Sequence, residues 1–230
     1  MKLEIIPVTG MPEIVKGDDL AALIVAHTQL HDADVVVVAQ KVVSKSEGRL
    51  VAVDPEHREE ERARLVDQES VRVLAERDDL KIVETKHGFV CAAAGIDASN
   101  VPPGMLALLP EDPDASARAI RDSLRRLADV EVGVIVADTF GRPWRMGQTN
   151  VALGIAGIHP LHDYRGEKDT FGMPLQATVI AIADELAGAA ELVMGKSDGI
   201  PVAIVRGVEG ARGDGTGRDL LRPPEEDLFR

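Results

Sequence analysis

Between Ala137 and Asn150 the chain packs a carboxylate (Asp138), two threonine hydroxyls (Thr139, Thr149), two guanidiniums (Arg142, Arg145), an amide pair (Gln148, Asn150) and its one tryptophan, Trp144. The apolar run Val130–Val136 ahead of it reads as a buried strand ending at Asp138, where a carboxylate can face a cleft instead of the core. Asp138 and Thr139 then offer adjacent oxygen ligands of the kind a hard divalent cation takes. Arg142 and Arg145 flank Pro143-Trp144, a turn that restricts the loop and could aim both guanidiniums at a polyanion.

Four other stretches hold chemistry of the same sort. In Gly210–Asp219, glycines at 213, 215 and 217 free successive N–H groups to converge on an anion; Arg212 and Arg218 add donors, and Asp214 could reach a cation bound to that anion. A flexible surface loop is the other reading. Asp97 and Asn100 share a turn after the apolar strand Phe89–Ala93, as ligand and hydrogen-bonder or simply as an Asx turn or helix cap. In Gln40–Gly48, Lys41 and Lys45 with hydroxyls between them suit phosphate oxygens, or the segment is a solvated loop. Gly195-Lys196-Ser197 imitates a phosphate loop, but position 190 is Ala and a helix precedes it, so a glycine helix stop with a dipole-complementing lysine is expected.

The remaining reactive residues read as ordinary. His27 falls on the apolar face of a helix as a core or boundary residue, His159 and His162 have no zinc-site spacing, and Cys91 is expected to be a buried, inert thiol. A single cysteine forbids an intrachain disulfide and fits a reducing cytoplasm. With 26 Lys+Arg against 39 Asp+Glu the net charge is −13, which argues against nucleic acid or an anionic membrane as partner. The opening MKLEIIPVTG has no apolar core of a signal peptide, and no apolar stretch approaches the ~20 residues of a bilayer span.

These groups must be positioned by strands at Leu3–Pro7, Asp34–Ala39, Leu80–Thr85, Phe89–Ala93, Val130–Ala137, Val151–Ile158 and Pro201–Val205. Expected helices start after Gly17-Asp18-Asp19, with Leu20, Leu23 and Ile24 inward, and run over 55–76, with Val66, Val73 and Leu74 as the stripe. Two more run over 114–128, with Ile120, Leu124 and Leu127 inward, and over 177–194. Strands and helices mix without a βαβ rhythm, which predicts an α+β fold over a single domain, 1–230.

Taken in order, Gly10–Glu13, Lys41–Lys45, Ala94–Asn100, Asp138–Arg145 and Gly213–Thr216 resemble the signature of the coenzyme F420:L-glutamate ligase family. Ending at Arg230, the chain resembles the short form that stands alone, without the flavin-binding domain of actinobacterial relatives. The resemblance implies an intertwined homodimer of mixed sheets with two closely connected subdomains. It implies GTP-dependent γ-glutamyl transfer to the deazaflavin coenzyme F420-0, with F420-1 as a further acceptor, Mg2+ or Mn2+ at two positions, and a monovalent cation such as K+. Residues matching Asp97 and Asp138 hold one metal in the family, and those matching Thr139 and Asp214 the second. Nucleotide contacts map to Met11, Pro12, Glu13, Ile14, Gln40, Lys45 and Asn100, and to Arg212, Gly213, Asp214, Gly215, Thr216, Gly217, Arg218 and Asp219.

The chemistry that fits is activation of a carboxylate as an acyl phosphate, with Lys45, Arg142 and Arg145 expected to stabilise charge on the transferring phosphoryl group. Two competing classes use the same residues. One is a metal-dependent phosphohydrolase or kinase acting on another phosphorylated metabolite; the other is a nucleotide-binding regulator without turnover.

Overall fold

A computed structural model describes residues 2–228, so Met1, Phe229 and Arg230 lie outside it. In chain order the elements are β1 (Glu4–Pro7), α1 (Leu20–His27), β2 (Val35–Ala39), α2 (Gln40–Glu47), β3 (Leu50–Ala52), α3 (Arg58–Glu69), β4 (Ser70–Arg77), β5 (Leu80–Thr85) and β6 (Val90–Ala92). There follow β7 (Met105–Ala107), α4 (Pro113–Ala128), β8 (Gly133–Arg142), β9 (Arg145–Ala156), β10 (His162–Asp163), β11 (Val179–Ile180), α5 (Ile182–Met194) and β12 (Val202–Arg206). The fold is α+β, as expected.

The centre is a five-stranded sheet in the order β1-β12-β2-β8-β9. Within it β2 and β8 run parallel, and the other neighbours are antiparallel. Side chains alternate across a strand, and here both faces are covered. Val36, Val38, Val134 and Val136 pack with Ile24, Ile120 and Leu124 of α1 and α4. Val35, Val37 and Ile135 pack with Ala183, Ala187 and Ala190 of α5, whose small side chains let that helix lie close. Gly154 brings β9 equally close to α4, since a Cβ there would stand 2.0 Å from the Pro113 carbonyl oxygen. A third cluster (Leu65, Val66, Val83, Leu106) joins α3 to the outer strands β3–β7 and β4–β5–β6.

Several expected boundaries move, each for a tertiary reason. The helix expected over 55–76 is α3 followed at once by β4, because the β-branched residues from Ser70 onward pair with β5. Val73 therefore lies on a strand opposite Val83, half exposed. Leu127 is 51% exposed, and Ala128 makes the last-turn contact of α4 in its place. The helix expected over 177–194 starts only at Ile182, since Val179–Ile180 pair with His162–Asp163. His27 is on the surface, its Nδ1 2.7 Å from the Leu23 carbonyl. The solvated loop weighed for 40–48 is the helix α2, closed by Gly48 at φ 76°.

The largest correction concerns the stretch from Ala137 to Asn150. It is not a loop after a strand end but a β-hairpin: β8 runs on to Arg142, pairs Thr139 with Asn150 and Arg142 with Arg145, and turns at Pro143-Trp144. Trp144 holds φ at 57°, a value that bulky residues seldom adopt.

Candidate active site

Where the parallel strands β2 and β8 end side by side, their C-terminal ends open into a cavity of about 1110 Å³. Its wall includes Met11–Ile14, Gln40, Lys41, Lys45, Asp97, Asn100, Asp138, Thr139, Asn150, Glu191 and Lys196. Three of the four expected metal ligands and all the expected nucleotide contacts from the first half of the chain are thus together. Asp138 and Thr139 arrive mid-hairpin on β8. Asp97 follows a turn in which Ala93, Ala94 and Gly95 all take positive φ (49°, 54° and 70°), a strained path fixed by a mutual backbone bridge between Asp97 and Ala107.

The two carboxylates differ electrostatically. Burial raises the Asp138 acid, the nearby Asp97 charge raises it further, and the result is pushed up to about 6. Burial would also raise Asp97, but a hydrogen bond from Lys41, the Ser99 N–H and the Ser99 hydroxyl together hold it below the usual carboxylate range. The turn is therefore an Asx turn, as one reading had it, and a charged one held by a lysine. Lys41 Nζ also donates to the Ser99 carbonyl at 2.7 Å.

Opposite them, α2 begins at the strand end with no side chain capping its first turn. Its Gln40 is 1% exposed; Oε1 accepts from the Ser44 hydroxyl at 3.0 Å, and Nε2 has no partner. A buried amide donor without an acceptor is costly unless a ligand supplies one. Lys45, 5% exposed, pairs with Glu13 of the segment that closes this end. Cys91 lines the same wall and is buried, as expected; burial, then the Asp138 charge, push its thiol up to about 12, which disfavours the nucleophilic thiolate.

The residues suit divalent cations. Among the described residues no three His, Cys, Asp or Glu side chains converge into a cage. Two carboxylates and a hydroxyl do fit a hard cation that keeps water and shares phosphate oxygens. Positive charge already stands on these oxygens: the Lys41 ammonium on Asp97, and the Lys196 ammonium 2.6 Å from Thr139 Oγ1.

Other expected members lie elsewhere. Asp214 and Asp219 line a separate, shallower groove with His159, Pro160 and Leu161. The N–H groups of Gly213, Gly215 and Gly217, expected to converge on an anion, are instead used within the chain: they donate to Gly157 O (3.2 Å), Ile158 O (3.0 Å) and Asp114 Oδ1 (2.7 Å). Their glycine character serves close packing: a Cβ would come within 2.4 Å of the His159 ring at 213, 2.1 Å of Pro160 at 215 and 2.1 Å of Leu153 O at 217. The Thr216 N–H is taken by Asp219, 2.8 Å away, and Arg212 and Arg218 are exposed. Arg142 and Arg145 stand exposed at the hairpin end, Arg142 donating to the Met146 carbonyl at 2.7 Å. Lys41, read as a partner for phosphate oxygens, also faces the cavity, and Asn150, Glu191 and Lys196 line it without having been given a role there. Lys196 does follow a glycine helix stop, Gly195 at φ 59°, and that local reading concealed its tertiary place.

No helix of the described residues is long and apolar enough to cross a membrane. Residues 9–207 match the family model for F420-0:gamma-glutamyl ligase. Among similar proteins, the coenzyme F420:L-glutamate ligase of Methanothermobacter thermautotrophicus is 43% identical over 251 aligned positions covering all of both chains. The protein of that name from Methanopyrus kandleri is 42% identical, over 99% of this chain and 98% of its own. That from Haloarcula marismortui is 45% identical, over 99% and 96%. A match of this extent establishes that the chain belongs to the F420-0:gamma-glutamyl ligase family.

Proposed function

We propose that the chain is a ligase that joins L-glutamate through an amide to coenzyme F420-0, and to F420-1 in turn, at the expense of GTP. The observation that carries the reading is one cavity with Asp97, Asp138 and Thr139 on one wall and, on the other, Lys45, the uncapped start of α2 and the unpartnered Gln40 amide. Acidic oxygens against cationic and N–H donors suit a triphosphate bound with Mg2+ or Mn2+. The family match favours a ligase over a phosphohydrolase, a kinase or a regulator without turnover.

In this reaction the terminal carboxylate of the coenzyme attacks the γ-phosphorus of GTP. The bond to the β–γ bridging oxygen breaks, and GDP leaves. The glutamate amine then attacks the acyl carbon, phosphate departs with the bonding pair, and the amine loses its proton. Bound divalent cations supply charge neutralisation at the polyphosphate. Lys45 holds a buried ammonium for the γ-phosphate oxygens, and Gln40 Nε2 donates to a nucleotide oxygen. Asn100 fixes the lip of the cavity by donating to the Lys196 carbonyl at 3.0 Å. K+ completes the expected ion set, in a cytoplasmic setting.

A homodimer belongs to the same reading. Arg142, Arg145 and the Arg212–Asp219 loop bear the family signature yet stand outside the cavity of their own chain. A second copy would supply them, and the hairpin end, with Trp144 81% and Met146 94% exposed, has the apolar surface to meet it. Incubation with F420-0, glutamate and each nucleotide in turn, followed by mass spectrometry, tests the reaction: a gain of one glutamyl unit with GTP is expected, and no gain would overturn it. Mixing an inactive Asp138→Asn chain with an inactive Arg142→Ala/Arg145→Ala chain tests the dimer. Exchange of subunits should restore about a quarter of the activity, and no recovery would refute the shared site.

A further inference from the structure

The C-terminal end of α5 carries a closed ring of polar contacts that the reaction above leaves unused. Lys196 Nζ lies 2.6 Å from Thr139 Oγ1, 2.8 Å from Glu191 Oε1 and 3.4 Å from Asn150 Oδ1. Thr139 Oγ1 is 2.6 Å from Asn150 Oδ1, and Asn150 Nδ2 is 2.9 Å from Glu191 Oε2. An ammonium can only donate and a carboxylate only accept, which fixes every direction in the ring. Thr139 sends its hydrogen to Asn150 and turns a lone pair on Lys196; Asn150 in turn donates to Glu191. Asn150 is 3% exposed, whereas the Lys196 side chain is 59% exposed, so the frame is buried and the cation stands at its open side.

We propose that Lys196 is a built-in counter-cation, occupying the Thr139 lone pair until a divalent cation displaces it, with Asn150 and Glu191 as the positioning residues that keep that lone pair turned to the cavity. The inference rests on the reading of Asp138 and Thr139 as metal ligands. An ammonium hydrogen-bonded to an oxygen and a metal ion bonded to the same lone pair exclude one another by contact and by charge. Once displaced, the ammonium keeps Glu191 as its partner and adds a donor for phosphate oxygen at the cavity edge.

The test is Mn2+ binding to the full chain, followed by electron paramagnetic resonance, with and without GDP, alongside the melting temperature. Lys196→Met should tighten Mn2+ binding without nucleotide on the order of tenfold, with the melting temperature unchanged, while Lys196→Arg should bind Mn2+ as weakly as the wild type. In the Lys196→Met background, Asn150→Ala should loosen Mn2+ again several-fold, because the threonine hydrogen is no longer held aside. Equal or weaker Mn2+ binding by a folded Lys196→Met chain, beside measurable binding by the wild type, overturns the role of the lysine and leaves the metal reading standing. Absence of Mn2+ binding by both chains even with GDP overturns the metal reading itself, and the lysine proposal with it.

Discussion

The cavity at the ends of β2 and β8 and the groove at Asp214 draw on the same residue types, yet they spend them differently. In the cavity Gln40 Nε2 has no partner, and the Lys41, Lys45 and Lys196 ammoniums are held by the side-chain carboxylates of Asp97, Glu13 and Glu191, contacts that a ligand's oxygens can replace. In the groove, the backbone is used up internally, with the N–H groups of residues 213, 215, 216 and 217 all bonded within the chain. A glycine-rich loop is thus not by itself an anion site; what matters is where its N–H groups already go. The cavity is built to receive something, and the groove is built to hold a loop in one shape.

That contrast can be broken at either region. The largest effect is expected from Asp138→Asn, which should lower the ligation rate by at least about a thousandfold while the chain stays folded; activity near wild type at ordinary metal concentration would remove Asp138 from the site. Next is Gly217→Ala in the groove loop. Its Cβ would sit 2.1 Å from the Leu153 carbonyl oxygen, so a loss of about 3 kcal/mol and a melting temperature lower by roughly 6–12 °C are expected. An unchanged melting curve would show the loop to be looser than its packing implies.

The smallest effect is on stability against pH. The folded Asp138 acid lies at about 6, above the ordinary 3.8, so the metal-free fold binds its proton more tightly than the unfolded chain does. The destabilisation from the buried charge is therefore full above pH 6 and fades as pH falls from about 6 towards 4. Asp138→Asn should gain about 2 kcal/mol over wild type at pH 8 and nothing at pH 4, read from denaturation midpoints. A gain that does not vary with pH would assign the effect to packing instead.

Much of this was legible in the chain, and what was hidden had specific causes. Val35–Val38 and Val134–Val136 announce buried strands because both faces of the sheet are covered. Asp138-Thr139 could be picked out as candidate oxygen ligands from residue type alone, and both line the cavity. The hairpin could not, because Phe140, Trp144 and Met146 are interrupted by charges, glycines and a proline, which leaves no clean alternation to read. Residues 70–76 passed for helix because strand pairing, not local preference, decides them. The glycines at 213–217 were misread because spacing shows that N–H groups are unhindered, never whether they are taken. Lys196 escaped because the end of a helix already explains a lysine.

The turn at Pro143-Trp144 has one more consequence. Since the chain contains a single tryptophan, and it stands 81% exposed at the far end of the hairpin, indole fluorescence excited where tyrosine does not absorb comes from that point alone. An isolated chain should emit at the long wavelengths of a hydrated indole and be quenched readily by iodide. Whatever covers the hairpin will announce itself as a shift to the blue, with no label attached.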